Sequence, residues 1–299
     1  MFKLKKGDKV GIVSPSSFIT NKEWVEKGTK YLKSLGLVPV FGKHVYGKYR
    51  FMSGTAEQRA NELKTFYKDP EIKAIFASAG GGGSLYVLDK LDFDIIKKNP
   101  KPLIGFSDTT ALQNGIYSRV GNVNPTGFTL HYDFRDGQID KSVDRSLMAV
   151  LFGKELVAKG GKTIRKGMAE GRLVGGCLSV LCYLCGTKYF PDLKDAILIL
   201  EDVSEKTYRI ALLLQQIKMQ PNFDKVKGIV FGKFTDSTVF IPEDGTPDEV
   251  IDYFCKDLKI PVIKDFPYSH EKSRYVLPLG AKVRLDAMSK ALEIMSIND

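Results

Sequence analysis

Apolar runs alternate with amphipathic segments through the first 130 residues. Residues 9–14 (KVGIVS) form a short β-branched apolar run and predict a strand that ends at Pro15-Ser16-Ser17. Thr20 and Glu23 have capping-box spacing, and Trp24, Val25, Tyr31, Leu32 and Leu35 then recur at helical intervals until Gly36. Residues 37–41 predict a second strand. Thr55 and Gln58 repeat the capping-box spacing ahead of a helix that ends near Tyr67, where Asp69-Pro70 breaks the pattern. Residues 72–77 predict a third strand, 80–83 a glycine loop, 84–91 a helix, 102–106 a fourth strand and 108–118 a helix. Strands alternating with helices predict a parallel sheet covered on both faces, with its site at the carboxyl ends of the strands.

The pattern weakens after Asp133. Residues 135–144 are polar and read as a surface connection, 146–152 as a helix, and Lys159-Gly160-Gly161-Lys162 as a linker. Beyond it, short strands are predicted at 166–174, 196–200, 228–231, 262–264, 276–279, 281–285 and 291–297. They mix with helices near 178–185, 206–219 and 247–257. The chain therefore reads as α/β. A parallel-sheet domain spans residues 1–160, and a smaller, strand-rich α/β domain spans 161–299. There is no internal repeat and no low-complexity tract.

At 299 residues, with 43% hydrophobic and 27% charged positions, the chain can bury a large core without covalent staples. No window is apolar for the length of a bilayer, and the run at 10–13 is too short for a signal peptide, so a cytoplasmic protein with no membrane partner is expected. The net charge of +10 raises the question of nucleic acid. The lysines are dispersed, and the densest cluster, Lys3-Leu4-Lys5-Lys6, is four residues long, so no nucleic-acid partner is expected. Cys177, Cys182, Cys185 and Cys255 have the spacing of plant-type iron–sulfur ligands. The first three lie in GGCLSVLCYLCGT, an apolar run at helical spacing, with Cys255 distant, which favours buried thiols over a cluster; no metal and no cofactor are expected.

Candidate chemistry concentrates at Leu103-Ile-Gly-Phe-Ser-Asp-Thr-Thr110. An apolar strand ends in Gly-Phe-Ser and a helix begins at once, the strand–turn–helix context of a nucleophile elbow. Ser107 would stand beside a helix N-terminus that favours developing negative charge. The second glycine of the hydrolase pattern is replaced by Thr109, and Ser107 or Asp108 could equally be a helix cap. The glycine run after Ala79 could cradle a phosphate, donate an oxyanion-hole N–H or simply turn; it carries neither a Walker lysine nor a full dinucleotide fingerprint. A serine nucleophile needs a base. The three histidines are His44 beside a strand, His131 in an aromatic stretch and His270 in a loop, and composition does not choose among them. An orienting carboxylate is available where the strand at 196–200 runs into Glu201-Asp202. The order Ser107, Glu201, His270 is that of α/β-hydrolase triads.

At these residues the chain resembles the LD-carboxypeptidase family of serine peptidases, which includes muropeptide LD-carboxypeptidases and microcin C self-immunity peptidases. The resemblance runs through Gly7-Asp-Lys-Val-Gly-Ile-Val-Ser-Pro-Ser16, Gly54-Thr-Ala-Glu-Gln-Arg59 and Gly105-Phe-Ser-Asp108. It continues through Gly171-Arg-Leu-Val-Gly-Gly176, Leu200-Glu-Asp-Val203 with Tyr208-Arg-Ile210, and Leu277-Pro-Leu-Gly280. It implies a nucleotide-binding-like N-terminal domain, a smaller C-terminal domain, a triad divided between them and a homodimer. Carried over by position, Ser107 is the nucleophile, His270 the base and Glu201 its partner. The oxyanion hole comes from the backbone N–H of Asp108 and of Gly80 or Gly81. Lys206 and Arg209 are candidates for the substrate carboxylate. Ala79 stands where muropeptide members commonly carry arginine, and Cys177 where asparagine is common. The expected substrate is a small peptide, a murein tetrapeptide losing its terminal D-Ala. Peptidyl or acyl-sulfamoyl adenylates are the alternative, and a non-catalytic small-ligand binding module is the alternative of another class.

Overall fold

The computed structural model describes residues 3–296. The first unit is built from β1 (Lys9–Val13), α1 (Lys22–Ser34), β2 (Val38–Phe41), α2 (Ala56–Lys68), β3 (Ile72–Ala77), α3 (Ser84–Leu88), α4 (Phe93–Lys98), β4 (Leu103–Ile104) and α5 (Thr110–Val120). Its four strands are all parallel, in the order β2-β1-β3-β4. Parallel neighbours cannot be joined by tight hairpins, so the chain crosses over between them through helices. Val10, Ile12, Ile75 and Phe76 are fully buried, as expected of strands covered on both faces.

Several boundaries differ from the sequence reading. The cap of α1 is Asn21, whose side chain accepts from Glu23 N–H; Thr20 instead bonds His131. The Thr55–Gln58 capping box is present at α2. The helix read over 84–91 stops at Leu88, and Asp92 caps a separate α4. The strand read over 102–106 keeps ladder geometry only at 103–104, because Gly105 bridges to Thr126 of β5 (Asn124–Thr126). The polar stretch 135–144 contains the start of α6 (Lys141–Phe152), capped by Asp140.

The second unit follows with β6 (Val157–Lys159), β7 (Lys162–Arg165), β8 (Met168–Cys177), α7 (Leu178–Cys182), β9 (Ala196–Val203), α8 (Thr207–Lys218), β10 (Gly228–Thr235), α9 (Pro247–Cys255), β11 (Val262–Lys264), β12 (Leu277–Leu279), β13 (Lys282–Asp286) and β14 (Ala291–Ser296). The strand expected to end at Ile297 reaches the limit of the described residues. Among those residues, one eight-stranded mixed sheet has the order β6-β14-β13-β8-β9-β10-β11-β7. Its two edges, β6 and β7, are consecutive in sequence and joined only by Gly160-Gly161. A connection that short cannot span a flat sheet of eight strands spaced about 4.8 Å apart, so the sheet is curled until its edges approach. The supposed linker 159–162 is thus a connection inside this sheet.

Two features weld the units together. β12 leaves the second unit and pairs antiparallel with β5. Apolar clusters cross the junction: Leu112 and Ile116 of α5 pack with Val180 and Leu184, and Phe106 packs with Ile199, Tyr268 and Leu277. The end of β4, the end of β9 and the loop before β12 therefore meet at one buried seam. Among the described residues no helix is long and apolar enough to cross a membrane.

Candidate active site

Ser107 begins a 3-10 turn between β4 and α5. Its φ is +64°, a left-handed conformation that L side chains other than Asn and Asp seldom adopt. Such backbone strain, held by the packing around it, lifts the hydroxyl clear of the sheet. The glycine loop lies against it: a Cβ at Gly80 would stand 3.0 Å from Ser107 Cβ and 3.2 Å from Phe106 O. Asp108 ties the two segments together. Its Oδ2 accepts from Ser84 N–H at 2.8 Å, and its carbonyl accepts from Ser84 Oγ at 2.6 Å. Its side chain and carbonyl are thereby engaged. Arg59, fully buried from α2, donates to the carbonyls of Gly83 and Pro15 and so fixes the far side of the loop.

Glu201 and Asp202 end β9 side by side, and strand alternation sends them opposite ways. Asp202 accepts from Ser179 N–H at 2.7 Å and from the Cys177 thiol at 3.3 Å, so it caps α7. Glu201 turns to the seam and is fully buried. Its Oε2 is 2.7 Å from His270 Nδ1, and its Oε1 has no hydrogen-bond partner among the described residues. Burial pushes the Glu201 carboxyl above its ordinary range, and His270 pulls it back. Gly232 of β10 makes room for it, since a Cβ there would fall 1.8 Å from Tyr268 O and 2.9 Å from Glu201 Cβ.

His270 Nε2 lies 2.9 Å from Ser107 Oγ. With its proton on Nδ1, the imidazole donates to Glu201 and accepts from Ser107. The ring packs 4.6 Å from the centroid of Phe106. Its loop lacks regular structure and is held by side chains. Arg274, fully buried, donates to both oxygens of Asp133 at 2.7 and 2.9 Å and to Gly127 O at 3.0 Å. Tyr132 OH donates to the carbonyl of His270.

The structure thus brings Ser107, Glu201 and His270 into one hydrogen-bonded line and sets Gly80 against Ser107, whereas Gly81 lies against Ser17. The other histidines lie elsewhere. His44 approaches Glu62 beyond β2, at 3.4 Å, and His131 bonds Thr20 and packs on Trp24. Arg209 is paired with Glu205 at 2.7 Å, and Lys206 stands 4.6 Å over the Phe240 ring; neither contact is to the triad. Beside His270 opens a cleft of about 500 Å³ lined by Arg135, Lys233, Glu271 and Lys272 among others. Lys233 pairs with Glu271 and Lys272 with Asp136, whereas Arg135 stacks 4.1 Å over Tyr132. Sequence reasoning missed Arg135, Tyr132, Asp133 and Arg274. Only the polar-aromatic character of 132–135 set them apart, and it carries no periodic signal. Among the described residues no group of three or more His, Cys, Asp or Glu is arranged to hold a metal ion.

The chain matches known proteins over most of its length. Residues 10–127 match the LD-carboxypeptidase N-terminal domain and residues 170–285 the LD-carboxypeptidase C-terminal domain. The microcin C7 self-immunity protein MccF of Escherichia coli is 30% identical, with 97% of this chain and 94% of that protein covered. The murein tetrapeptide carboxypeptidase of Pseudomonas aeruginosa is 27% identical, with 93% of each covered. The structure of MccF in complex with glutamyl sulfamoyl guanosine superimposes with a TM-score of 0.89 at 28% identity, covering 98% of this chain and 97% of that one.

Proposed function

The chain belongs to the LD-carboxypeptidase family of serine peptidases, and from that premise we propose that it is a carboxypeptidase in which Ser107, His270 and Glu201 act as the catalytic triad. The observation that carries the reading is the unbroken line Ser107 Oγ, His270 Nε2, His270 Nδ1, Glu201 Oε2 at 2.9 and 2.7 Å. Ser107 Oγ attacks the carbonyl of the scissile amide while His270 takes its proton. The oxyanion forms against the backbone N–H groups of Asp108 and of Gly80 or Gly81. His270 then protonates the leaving amine, the amide C–N bond breaks, and water repeats the sequence on the acyl-enzyme. Glu201 holds the imidazole tautomer and stabilises the imidazolium. Each oxyanion N–H contributes about 3–4 kcal/mol at this step.

The substrate is a small peptide with a free carboxyl terminus. We assign the carboxylate to Arg135 in preference to Lys206 and Arg209, because Arg135 lines the same cleft as His270 and has no ion pair among the described residues. A charge-assisted bond of this kind is worth about 1.5–3 kcal/mol, so Arg135→Gln should raise KM roughly 10- to 100-fold with a smaller change in kcat. An unchanged KM would remove Arg135 from the site.

The leading substrate is murein tetrapeptide, with release of terminal D-Ala. The second reading, cleavage of an acyl-sulfamoyl adenylate, is favoured by the higher identity to MccF and by Ala79 in place of the arginine common in muropeptide members. Mass spectrometry of the purified chain with each substrate separates the two. Ser107→Ala should keep the wild-type unfolding transition and lose turnover by on the order of a million-fold. Retained turnover in that variant would refute the triad.

A further inference from the structure

Cys182 ends α7 and Cys185 lies in the turn that follows it, and the hydrolytic site uses neither. The backbone brings them together: Cys185 N–H donates to Cys182 O at 3.1 Å, and Leu184 N–H to Leu181 O at 3.0 Å. Side chains three apart in such a tight turn lie on one side of it. The Cys182 thiol is buried and reaches Leu213 O at 3.5 Å. Cys185 is half-buried, at the margin of an apolar cluster. The remaining cysteines are built differently. Cys177 is buried and donates to Asp202, and Cys255 is enclosed in the apolar core among β10, α9 and β11. Burial pushes the thiol of Cys177 well up and that of Cys255 up to about 12. Cys185 moves the other way, because the neighbouring S–H stabilises its thiolate.

We propose that Cys185 and Cys182 form a redox modification site, a dithiol that hydrogen peroxide converts reversibly to a disulfide. The half-exposed Cys185 thiolate attacks a peroxide oxygen; the O–O bond breaks, a sulfenic acid forms on Cys185, and hydroxide leaves and takes up a proton as water. The Cys182 thiol then attacks that sulfur; the S–O bond breaks, the S–S bond forms and a second water leaves. Two thiols are oxidised by two electrons, and the peroxide is reduced to two waters. A dithiol reductant restores the pair. The ring spans only four residues, so it adds little constraint to the unfolded chain, and mass and thiol reactivity report it better than stability does.

The test treats the full chain with one equivalent of hydrogen peroxide and then measures intact and peptide masses. The expected result is the loss of two hydrogens, localised to a Cys182–Cys185 cross-link and reversed by dithiothreitol. In Cys182→Ala, oxidation should stop at one added oxygen on Cys185, trapped by dimedone. Iodoacetamide at near-neutral pH should alkylate Cys185 ahead of Cys177 and Cys255, and severalfold more slowly in Cys182→Ala, which lacks the donor. Oxidation of Cys185 no faster than that of Cys255, or a cross-link through another pair, would overturn the proposal. The wild-type measurement stands even where a variant folds poorly.

Discussion

The two sides of the Ser107–His270 hydrogen bond are built by different means. On the serine side the support is local. The elbow sits between β4 and α5, the strained φ is set by its own backbone, and Asp108 reaches Ser84 only 24 positions away. On the histidine side the support is remote. Arg274 bonds Asp133 across 141 positions and Tyr132 bonds the His270 carbonyl across 138. Ser273 meets Ser142 at 2.8 Å from the start of α6. The loop around His270 has no ladder of its own and takes its shape from the first unit. Two consequences follow. Damage to the elbow should cost activity while the fold stands, and damage to the loop's ties should cost both.

The largest effect belongs to the buried ion pair. Arg274→Met leaves the Asp133 carboxylate in the seam without its partner, and burial already pushes that carboxyl above its ordinary range. Breaking such a pair costs about 3–5 kcal/mol. Urea unfolding should show that loss, with turnover reduced in the fraction that remains folded. The double change Arg274→Met with Asp133→Leu should recover part of the stability, because no uncompensated charge remains, but not the turnover, because the loop is still untied. Full recovery of both would make the pair a packing device with no hold on His270.

Gly80→Ala probes the other side. The added methyl meets the Cβ and Oγ of Ser107 and the Phe106 carbonyl at 3.0–3.3 Å, so the elbow or the glycine loop must shift by a few tenths of an ångström. Misplacement on that scale at a reacting centre costs up to about 100-fold in rate. The unfolding midpoint should move by less than in Arg274→Met. A stability loss as large as that of the ion-pair variant would erase the contrast between the two sides.

The same division decides what could be read from the sequence. The parallel sheet, the Thr55 cap, the glycine loop and the elbow are short-range patterns, and β11 lies where its apolar run placed it. Ser107 stood out because strand, turn and helix signals meet there. Glu201 stood out because an apolar strand ends in acid. His270 was one of three histidines until resemblance to a family selected it, since nothing within its own loop says what closes over it. β5 was invisible for the same reason. Asn124-Pro125-Thr126 is no strand by propensity, and pairing with Leu277–Leu279 makes it one. The glycines at 160–161 looked like a domain linker because a flexible spacer and a sharp sheet connection share one composition. Arg274 and Asp133 are ordinary polar residues until the fold buries them together.

The smallest change sharpens the comparison most. Tyr132→Phe removes one hydroxyl and keeps the ring that stacks between Arg135 and Arg274. The bond to the His270 carbonyl is lost, worth about 1 kcal/mol, together with a contact of the hydroxyl with Arg135. Global stability should fall by no more than that, well short of the ion-pair variant, because the ring packing and the ion pair remain. Turnover should fall less than tenfold. Native-state hydrogen exchange then locates the effect: protection should drop across residues 269–275 and stay unchanged at 107–116. A loop held chiefly by Arg274 would show no such drop, leaving the hydroxyl a bystander. A drop on both sides would mean that elbow and loop close as one cooperative unit, and that the local and remote supports are parts of a single clamp.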